Sequence, residues 1–484
     1  MTVRPLVLAL SIAALLPAGA HAQDLLQTYQ LARDNDPVLS MAEAQHQAAQ
    51  ELPVQARAAL LPQIDGSASV GRSRSYTPGG EVILDPITGQ PIIDPVTGLP
   101  VRSNSTVETD SRSRRVGINL SQMVFDRANI SRLQAATAQS RAADFTLESA
   151  GDTLITRTSA AYFNTLVAIE TLVAAEAAEE ALKKQFDLAS RRLEVGLAPI
   201  TDVHEAQAQY DGARANTVLV RNALQDAYQA LVEITGQPIR NLQGLPQDFQ
   251  PQLPAQRTGE QWVQSAMDNN PDLMAQQFNL QAAEANVETA RAGHWPRLYF
   301  SGSYDHSRSW TDTDLGNGFG SDTDNRSHGP GIGLTLSVPI FSGGAVQSGV
   351  RQALANRDAE QDRLEQVRRG LVRNTRNAYQ TLVAGVSEVE ARRSAVVSAQ
   401  SAYEASQVGL EVGTRTVVDV LLNQQTLFNA EREYALARYN YLQNLLLLEQ
   451  AAGSLDVDDV QDVNRLLTVD AEARLTAPPP AARP

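Results

Sequence analysis

The chain has 484 residues with 40 basic and 55 acidic side chains, which gives a formal net charge of −15. This balance disfavours a nucleic-acid partner, because proteins that bind nucleic acids present basic surfaces to the phosphates. The chain has no cysteine, which excludes disulfides, thiolate metal sites and a cysteine nucleophile. Aromatic residues make up only 5% of the chain, and Ala, Gln, Leu, Arg and Glu fill its middle, a composition typical of long helices.

The first 22 residues have the pattern of a secretory signal peptide. Arg4 precedes an apolar run over 6–16, and Ala20-His21-Ala22 forms a small-residue cleavage site. A buried N-terminal helix is the alternative. Beyond residue 22 no stretch reaches 18 uninterrupted apolar residues, so no membrane-spanning helix is predicted. If the exported protein enters a membrane, a closed β-barrel is the structure that satisfies its backbone hydrogen bonds.

The sequence contains an internal repeat. The motif Asp-Asn-Asp-Pro at 34–37 returns as Asp-Asn-Asn-Pro at 268–271, an offset of 234, and residues 116–121 match 332–337 at an offset of 216. Such matches in the same order indicate two tandem copies of one unit. The predicted domains are a signal peptide (1–22), repeat 1 (23–240), an inter-repeat linker or equatorial segment (241–257), repeat 2 (258–455), and a C-terminal equatorial segment with a disordered tail (456–484).

Each repeat predicts two strands followed by a very long helix and a shorter helix. Val116, Ile118 and Leu120 alternate with polar residues, which is typical of a lipid-facing barrel wall and equally of a half-buried sheet. No proline interrupts 127–194, so roughly 68 residues form a helix about 100 Å long. The predicted bounds are strands at about 63–74 and 113–125 with helices at about 127–195 and 201–235, then strands at about 297–306 and 330–341 with helices at about 345–412 and 417–452.

The long helices and the few strands together predict an oligomer. Leu147, Leu154 and Ala161 follow heptad spacing, which indicates that the helices pack as antiparallel coiled coils. One chain offers four strands, whereas the smallest membrane barrels need about eight and open edges are not tolerated in lipid. Several chains must therefore share one barrel. Two copies would supply eight strands and three would supply twelve.

Short motifs around the predicted helix ends resemble a known family. In repeat 1 they lie at 161–164 (Ala-Tyr-Phe-Asn), 195–203 and 208–210, and in repeat 2 at 412–421, 429–430 and 437–441. Both sets resemble the TolC-like outer membrane efflux proteins. The resemblance covers nearly the whole mature chain, from about 24 to 460.

The resemblance implies a mainly α fold with a membrane β-barrel in the outer membrane of a Gram-negative cell. Long antiparallel coiled-coil helices would form an α-barrel in the periplasm, continuous with a trimeric 12-stranded β-barrel to which each chain gives four strands. The implied partners are two further copies of the chain, a periplasmic adaptor (membrane fusion) protein, an inner-membrane pump of the RND or ABC type and outer-membrane lipid. The implied function is passive export of small toxic compounds or, in type I secretion, of unfolded polypeptide, with neither enzymatic activity nor a cofactor.

The resemblance also places a periplasmic gate near two helix-hairpin turns. The turns fall at Gly196 and Gly413, and glycine suits a left-handed helix end. Asp419 matches a lumen-facing carboxylate of the family, and three copies around an axis would form an acidic ring that favours cations.

Three further residues match the ties that hold this gate shut. Arg415 and Thr201 match a pair that joins one helical hairpin to the next, and Asp202 matches the acidic member of a second tie. The sequence departs from the family at Leu410, where a tyrosine usually completes that tie, and at Leu422, where a second carboxylate is usual. One acidic ring and fewer ties are therefore expected. The alternative is purely structural, with Asp202 as a helix N-cap and Asp419 on a solvated face.

The remaining motifs leave their functions open. The Asp-rich segment 312–325 has some features of a calcium loop but lacks the spacing of an EF-hand, and a solvated outer loop is the alternative. Arg112, Arg114 and Arg115 suggest either an anion site or a barrel rim. The sequence predicts no catalytic, cofactor-binding or metal-binding residue. An exported coiled-coil scaffold or adhesin without a pore is the alternative function, and a secreted enzyme comes third.

Overall fold

The computed structural model describes residues 24–78, 82–102, 106–197, 199–254, 257–314 and 320–476. The predicted signal peptide and the predicted disordered end of the tail, from 477 onward, lie outside this part of the chain. The described residues divide into two compact units. The first comprises 24–48, 141–277 and 362–476, and the second comprises 49–140 and 278–361.

Helices make up most of the described chain. Two of them are unusually long because their sequences contain no proline and end in glycine-containing turns. None of the described helices combines the length and hydropathy that crossing a membrane requires. In chain order the helices are α1 (Leu25–Asn35), α2 (Pro37–Ala58), α3 (Arg127–Glu194), α4 (Ile200–Thr235), α5 (Gly259–Asn269), α6 (Pro271–Arg291), α7 (Ala345–Glu411), α8 (Val417–Ala452), α9 (Val457–Leu466) and α10 (Ala473–Thr476).

Four long strands form one antiparallel sheet in the second unit, and two short strands pair in the first. The order in the large sheet is β1-β2-β4-β5, so β1 and β5 are its edges. β2 of the first repeat pairs directly with β4 of the second, which joins the two repeats in one sheet. The strands are β1 (Gln63–Thr77), β2 (Val107–Phe125), β3 (Gln243–Gly244), β4 (Arg297–Asp314), β5 (Gly320–Ser337) and β6 (Val469–Asp470).

The large sheet has two chemically different faces, because successive side chains of a strand point to opposite sides. One face, here called the polar face, carries small polar residues such as Ser67, Asn119 and Ser303 along all four strands. The opposite face, here called the mixed face, is apolar in the half of each strand next to the helices. There Ile118 lies opposite Tyr304 in the register of β2 with β4.

The four long strands reach further from the helices than predicted. β4 and β5 stay paired from Arg297 opposite Ser337 to Asp314 opposite Gly320. The outer halves of the strands are rich in charged and hydroxyl side chains, which resemble loop composition although the backbone continues the ladder. The interpretation of 312–325 as a solvated loop is therefore wrong for Asp312 and Asp324, and 315–319 lies outside the described residues. β5 also ends before the predicted residue 341, because Pro339 has no backbone N–H to donate.

A buried polar network lies inside the first unit. Arg438 of α8 is only 2% exposed, and its guanidinium donates to the Pro246 carbonyl (3.0 Å) and to Glu170 Oε2 of α3 (2.6 Å). The Tyr439 hydroxyl donates to Glu170 Oε1 at 3.0 Å. The Tyr162 hydroxyl bonds both the N–H and the carbonyl of Gln243, each at 2.9 Å. These bonds hold the segment around β3 against the long helices.

Candidate gate at the helical hairpin turns

Both helical hairpins turn at a glycine in the left-handed conformation. Gly196 has φ 75° and Gly413 has φ 78°. At the first turn, the Leu197 N–H donates to the Arg192 carbonyl at 2.8 Å and the Gly196 N–H donates to the Leu193 carbonyl at 2.9 Å. The second turn repeats this pattern, which is the Schellman arrangement that closes a helix C-terminus. The two repeats therefore build the same turn with the same backbone chemistry.

Asp419 completes a capping box at the start of α8. The Thr416 N–H and the Thr416 hydroxyl each donate to Asp419 Oδ2 at 2.9 Å, and the Asp419 N–H donates to Thr416 Oγ1 at 3.2 Å. The hydrogen bonds to the carboxylate lower the pKa of Asp419, and the bond from the Thr416 N–H has the largest effect. The nearby positive charge of Arg415 lowers this pKa further. The carboxylate thus fixes the helix start, which is a structural role, and its part in a gate stays a prediction.

Asp202 has a different position at the start of α4. The N-cap residue of this helix is Pro199, and no side chain caps it. Asp202 lies inside the first turn, where a negative charge interacts favourably with the helix dipole. Thr201 Oγ1 lies 3.5 Å from Asp202 Oδ1. The alternative interpretation of Asp202 as an N-cap is thus wrong, because the proline already occupies that position.

A cavity of about 260 Å³ lies between the two turns, within the first unit. It brings Asp202 of the first hairpin to the same space as Arg415 of the second, although they are far apart in sequence. Thr201 and Asp419 do not line it, and neither does Gly196 or Gly413. The lining residues are Ala189, Arg192, Leu197, Asp202, Glu205, Leu410, Arg415, Thr416, Val417 and Val418.

The charges that line this cavity are balanced but not paired. Among the described residues, no ion pair within 4 Å joins Arg192 or Arg415 to Asp202 or Glu205. The Arg415 side chain instead packs over Gly409, where an added Cβ would lie 2.6 Å from Arg415 Cγ. Gly409 therefore makes room for the arginine, whose charge acts on Asp419.

Sequence reasoning missed Arg192, Glu205 and Gly409 as members of this site. Their signal in the sequence is weak, since each is one of many charged or small residues on a long helix. Their distance of a few residues from the turn glycines is the feature that could have identified them. Leu410, one of the departures from the family, lines the cavity, while Leu422, the other, is 62% exposed.

No cluster of three or more potential metal ligands occurs among the described residues. The arrangement at the turns places two basic and two acidic side chains around one cavity, which can attract ions. Nothing in its donor set resembles a nucleophile with an adjacent base.

Comparison with known proteins matches this architecture to one family. Residues 28–237 and 262–454 match the outer membrane efflux protein family. The chain is 34% identical over 455 residues to the outer membrane protein TolC of Vibrio cholerae, covering 94% of this chain and 96% of that protein. It is also 29% identical over 451 residues to the alkaline protease secretion protein AprF of Pseudomonas aeruginosa, covering 92% and 88% of the two chains.

The fold is that of solved channels. The CmeC outer membrane channel of Campylobacter jejuni superposes with a TM-score of 0.69 at 19% identity, covering 92% of this chain and 90% of that one. The mainly helical fold with a membrane-type sheet, predicted from the sequence, is thereby confirmed. The two matched segments cover both repeats, so the chain belongs to the outer membrane efflux protein family and is an outer membrane protein.

Proposed function

We propose that the chain forms a passive exit duct through the outer membrane. The observation that carries this proposal is the two-faced sheet, in which small polar residues occupy one side of every strand and apolar residues occupy the other side in the half next to the helices. A wall that separates water from lipid needs this alternation. The protein is a channel, not an enzyme, so the energy for export comes from a partner.

A complete wall requires more than one chain. The edges β1 and β5 present unpaired backbone groups, which lipid does not tolerate. Three copies arranged around an axis give twelve strands and no free edge. The helices that follow the strands continue the wall as an α-barrel, which meets a periplasmic adaptor and an inner-membrane pump of the RND or ABC type.

The duct serves efflux and secretion alike. The family is named for efflux, and the relative AprF is named for the secretion of a protease. A passive tube with a gate suits both cargoes, small toxic compounds and unfolded polypeptide, because the pump selects the cargo. A coiled-coil scaffold or adhesin without a pore does not account for the exposed apolar residues of the mixed face, such as Ile64 and Ile332.

The gate lies at the hairpin turns, where Arg415, Asp202 and the cavity between them form the contact region. Arg415 ties its hairpin to the neighbouring one when the duct is closed, and Thr201 and Asp202 belong to the facing side of such ties. Asp419 contributes one carboxylate per chain to an acidic ring. The glycines at 196 and 413 allow the tight turns that let the hairpins converge.

Replacing Arg415 with alanine is expected to raise the leak conductance of the duct in planar lipid bilayers by up to about fivefold. Loss of a charged contact worth up to about 1 kcal/mol shifts a closed state towards the open one by this factor. Arg191→Ala is the matched control, because Arg191 is also exposed in the last turn of α3 but does not line the cavity. Equal conductance of both variants and the wild type would contradict the placement of Arg415 in the gate.

Asp419→Asn is expected to lower the preference of the duct for cations, measured as the reversal potential across a salt gradient. Because its hydrogen bonds lower its pKa, the carboxylate stays ionised at a lower pH than an ordinary aspartate, and the wild-type preference should persist into that range. Thr416→Val is the control, since it removes the capping hydroxyl but keeps the charge. If Thr416→Val abolishes the preference and Asp419→Asn does not, Asp419 acts only in helix capping.

A further inference from the structure

The mixed face of the large sheet changes from apolar to charged along each strand. Counting outward from the helices, the continuous apolar runs end at Val70, Val116, Tyr304 and Ile332, and Tyr76, Trp310 and Pro330 stand among or beside the charged residues further out. Basic side chains follow, and on β2, β4 and β5 acidic ones come after them. The basic band comprises Arg72, Arg74, Arg112, Arg114, His306, Arg308, Arg326 and His328. The acidic band comprises Glu108, Asp110, Asp312, Asp314, Asp322 and Asp324.

The strand register places like charges directly opposite one another in the basic band. Arg114 of β2 lies opposite Arg308 of β4, which in turn lies opposite Arg326 of β5. Arg72 lies opposite Arg112 on the other side of β2. Like charges opposite each other across strands destabilise a sheet. An anion bound between them would remove this repulsion.

The protein's own carboxylates pair with five of the six arginines of this band. Asp110 accepts from Arg72 and Arg74 and lies 3.9 Å from Arg112, and Asp324 accepts from Arg308, at 2.9 and 2.7 Å, and from Arg326, at 3.2 Å. The Arg114 guanidinium lies over the Trp310 ring, 5.5 Å from its centroid, and no carboxylate lies within 4 Å of it among the described residues. The Arg326 side chain is 60% exposed, so these guanidiniums are accessible from the outside of the sheet.

We infer that the basic band is a binding surface for phosphate groups of a membrane lipid, with acyl chains lying against the apolar residues of the same face. This inference rests on the proposed duct, which directs the mixed face towards lipid. Guanidinium groups bind phosphate oxygens in pairs, with a geometry that matches their planar fork. The position of the band at the apolar boundary fits a phosphate carried on the lipid headgroup.

The acidic band limits how far outward along the strands a bound phosphate can lie. Asp312 and Asp322 lie beyond the basic residues on β4 and β5 and repel phosphate that moves outward, whereas Glu108 of β2 pairs with Arg74 at 3.1 Å. The phosphate of a bound lipid is therefore held at the arginines, between the apolar residues on one side and the acidic band on the other. A free phosphate ion gains only the charge contacts and lacks the acyl contacts, so we commit to a lipid as the occupant.

The test compares lipid retention by the full-length oligomer and two variants, using native mass spectrometry of detergent-purified protein titrated with diphosphoryl lipid A. The triple variant Arg114→Gln/Arg308→Gln/Arg326→Gln is expected to bind about a hundredfold more weakly, since each arginine near an anionic lipid surface contributes about a fivefold gain in affinity. Arg115→Gln is the matched control, because Arg115 is adjacent in sequence but belongs to the polar face. It is expected to bind like the wild type.

Each of the following results would overturn the inference: equal binding by the triple variant and the wild type, equal loss in Arg115→Gln, or displacement of lipid A at the same concentration by diacylglycerol, which has acyl chains but no phosphate. Displacement by millimolar inorganic phosphate alone would show that an ion, not a lipid, is recognised, and would likewise overturn it. Conductance in planar bilayers is measured on the same samples. A triple variant that conducts normally but loses lipid supports the inference, whereas absent conductance in the wild type would instead reject the duct.

Discussion

Replacing Arg438 with leucine is expected to destabilise the first unit by about 3–5 kcal/mol, because it removes the cationic partner of the largely buried Glu170 carboxylate. Glu170 would lose its 2.6 Å bond to the guanidinium, and the Pro246 carbonyl would lose a donor at 3.0 Å. The loss of helical circular dichroism on heating in detergent measures the effect. A large fall in the transition temperature is expected.

Two further variants separate charge from packing. Arg432→Leu changes an exposed arginine six residues earlier on the same helix, and it should leave the transition almost unchanged. The double variant Arg438→Leu/Glu170→Leu should recover part of the stability, since replacing both members of a buried ion pair is far less costly than removing one. If the double variant is no more stable than Arg438→Leu, the buried pair is not the cause.

Gly453→Ala is the second substitution with a large expected effect. Gly453 ends α8 with φ 67°, in the left-handed region, where an L-residue costs about 1–2 kcal/mol. Its added Cβ would also lie 2.6 Å from the backbone carbon and oxygen of Asn269, at the end of α5. Backbone cannot move aside as a flexible side chain can, so overpacking adds about 1–3 kcal/mol. The total expected loss is about 2–5 kcal/mol, read from the same thermal transition.

Gly196→Ala is the matched control for Gly453→Ala. Gly196 has a similar φ of 75°, but nothing lies within 4 Å of its added Cβ. The control should therefore show only the conformational cost, about 1–2 kcal/mol. Equal destabilisation by both variants would mean that the contact between the α8 and α5 ends has no energetic role.

The long helices could be predicted because their signals are simple. Proline is absent over 127–194, and the residues that close each helix, Gly196 and Gly413, stand at the same point of both repeats. Such backbone signals do not depend on tertiary context. The two-faced strands were also visible from their alternation, although alternation alone left a half-buried soluble sheet equally possible.

The strand ends and the buried network could not be predicted from the sequence. From the sequence, Asp312 and Asp324 are assigned to a loop, because acidic side chains are uncommon in strands. Only the register with the neighbouring strand shows that both residues belong to strands. Glu170 and Arg438 are 268 positions apart, so no local pattern connects them. Long-range pairing of this kind depends on how the helices pack, which composition does not encode.

The candidate gate was partly predictable. The turns follow from local spacing, and Asp202 and Asp419 are identified through the resemblance to the family, whereas the cavity that brings Asp202 and Arg415 together depends on the packing of one hairpin against the other. The capping role of Asp419 was missed, although Thr416 stands three residues before it in the spacing of a capping box.

The pairing of β2 with β4 has a consequence for symmetry. In the internal repeat, β4 corresponds to β1 at an offset of 234, and β5 corresponds to β2 at an offset of 216. The pairing of β2 with β4 inside one chain is therefore a template for the pairing of β5 of one chain with β1 of the next. Transferring the Ile118–Tyr304 pair through these offsets puts Leu334 of one subunit opposite Val70 of the next. Three internal and three external junctions would then alternate around the ring with near-equivalent geometry, a pseudo-sixfold wall made from a threefold assembly.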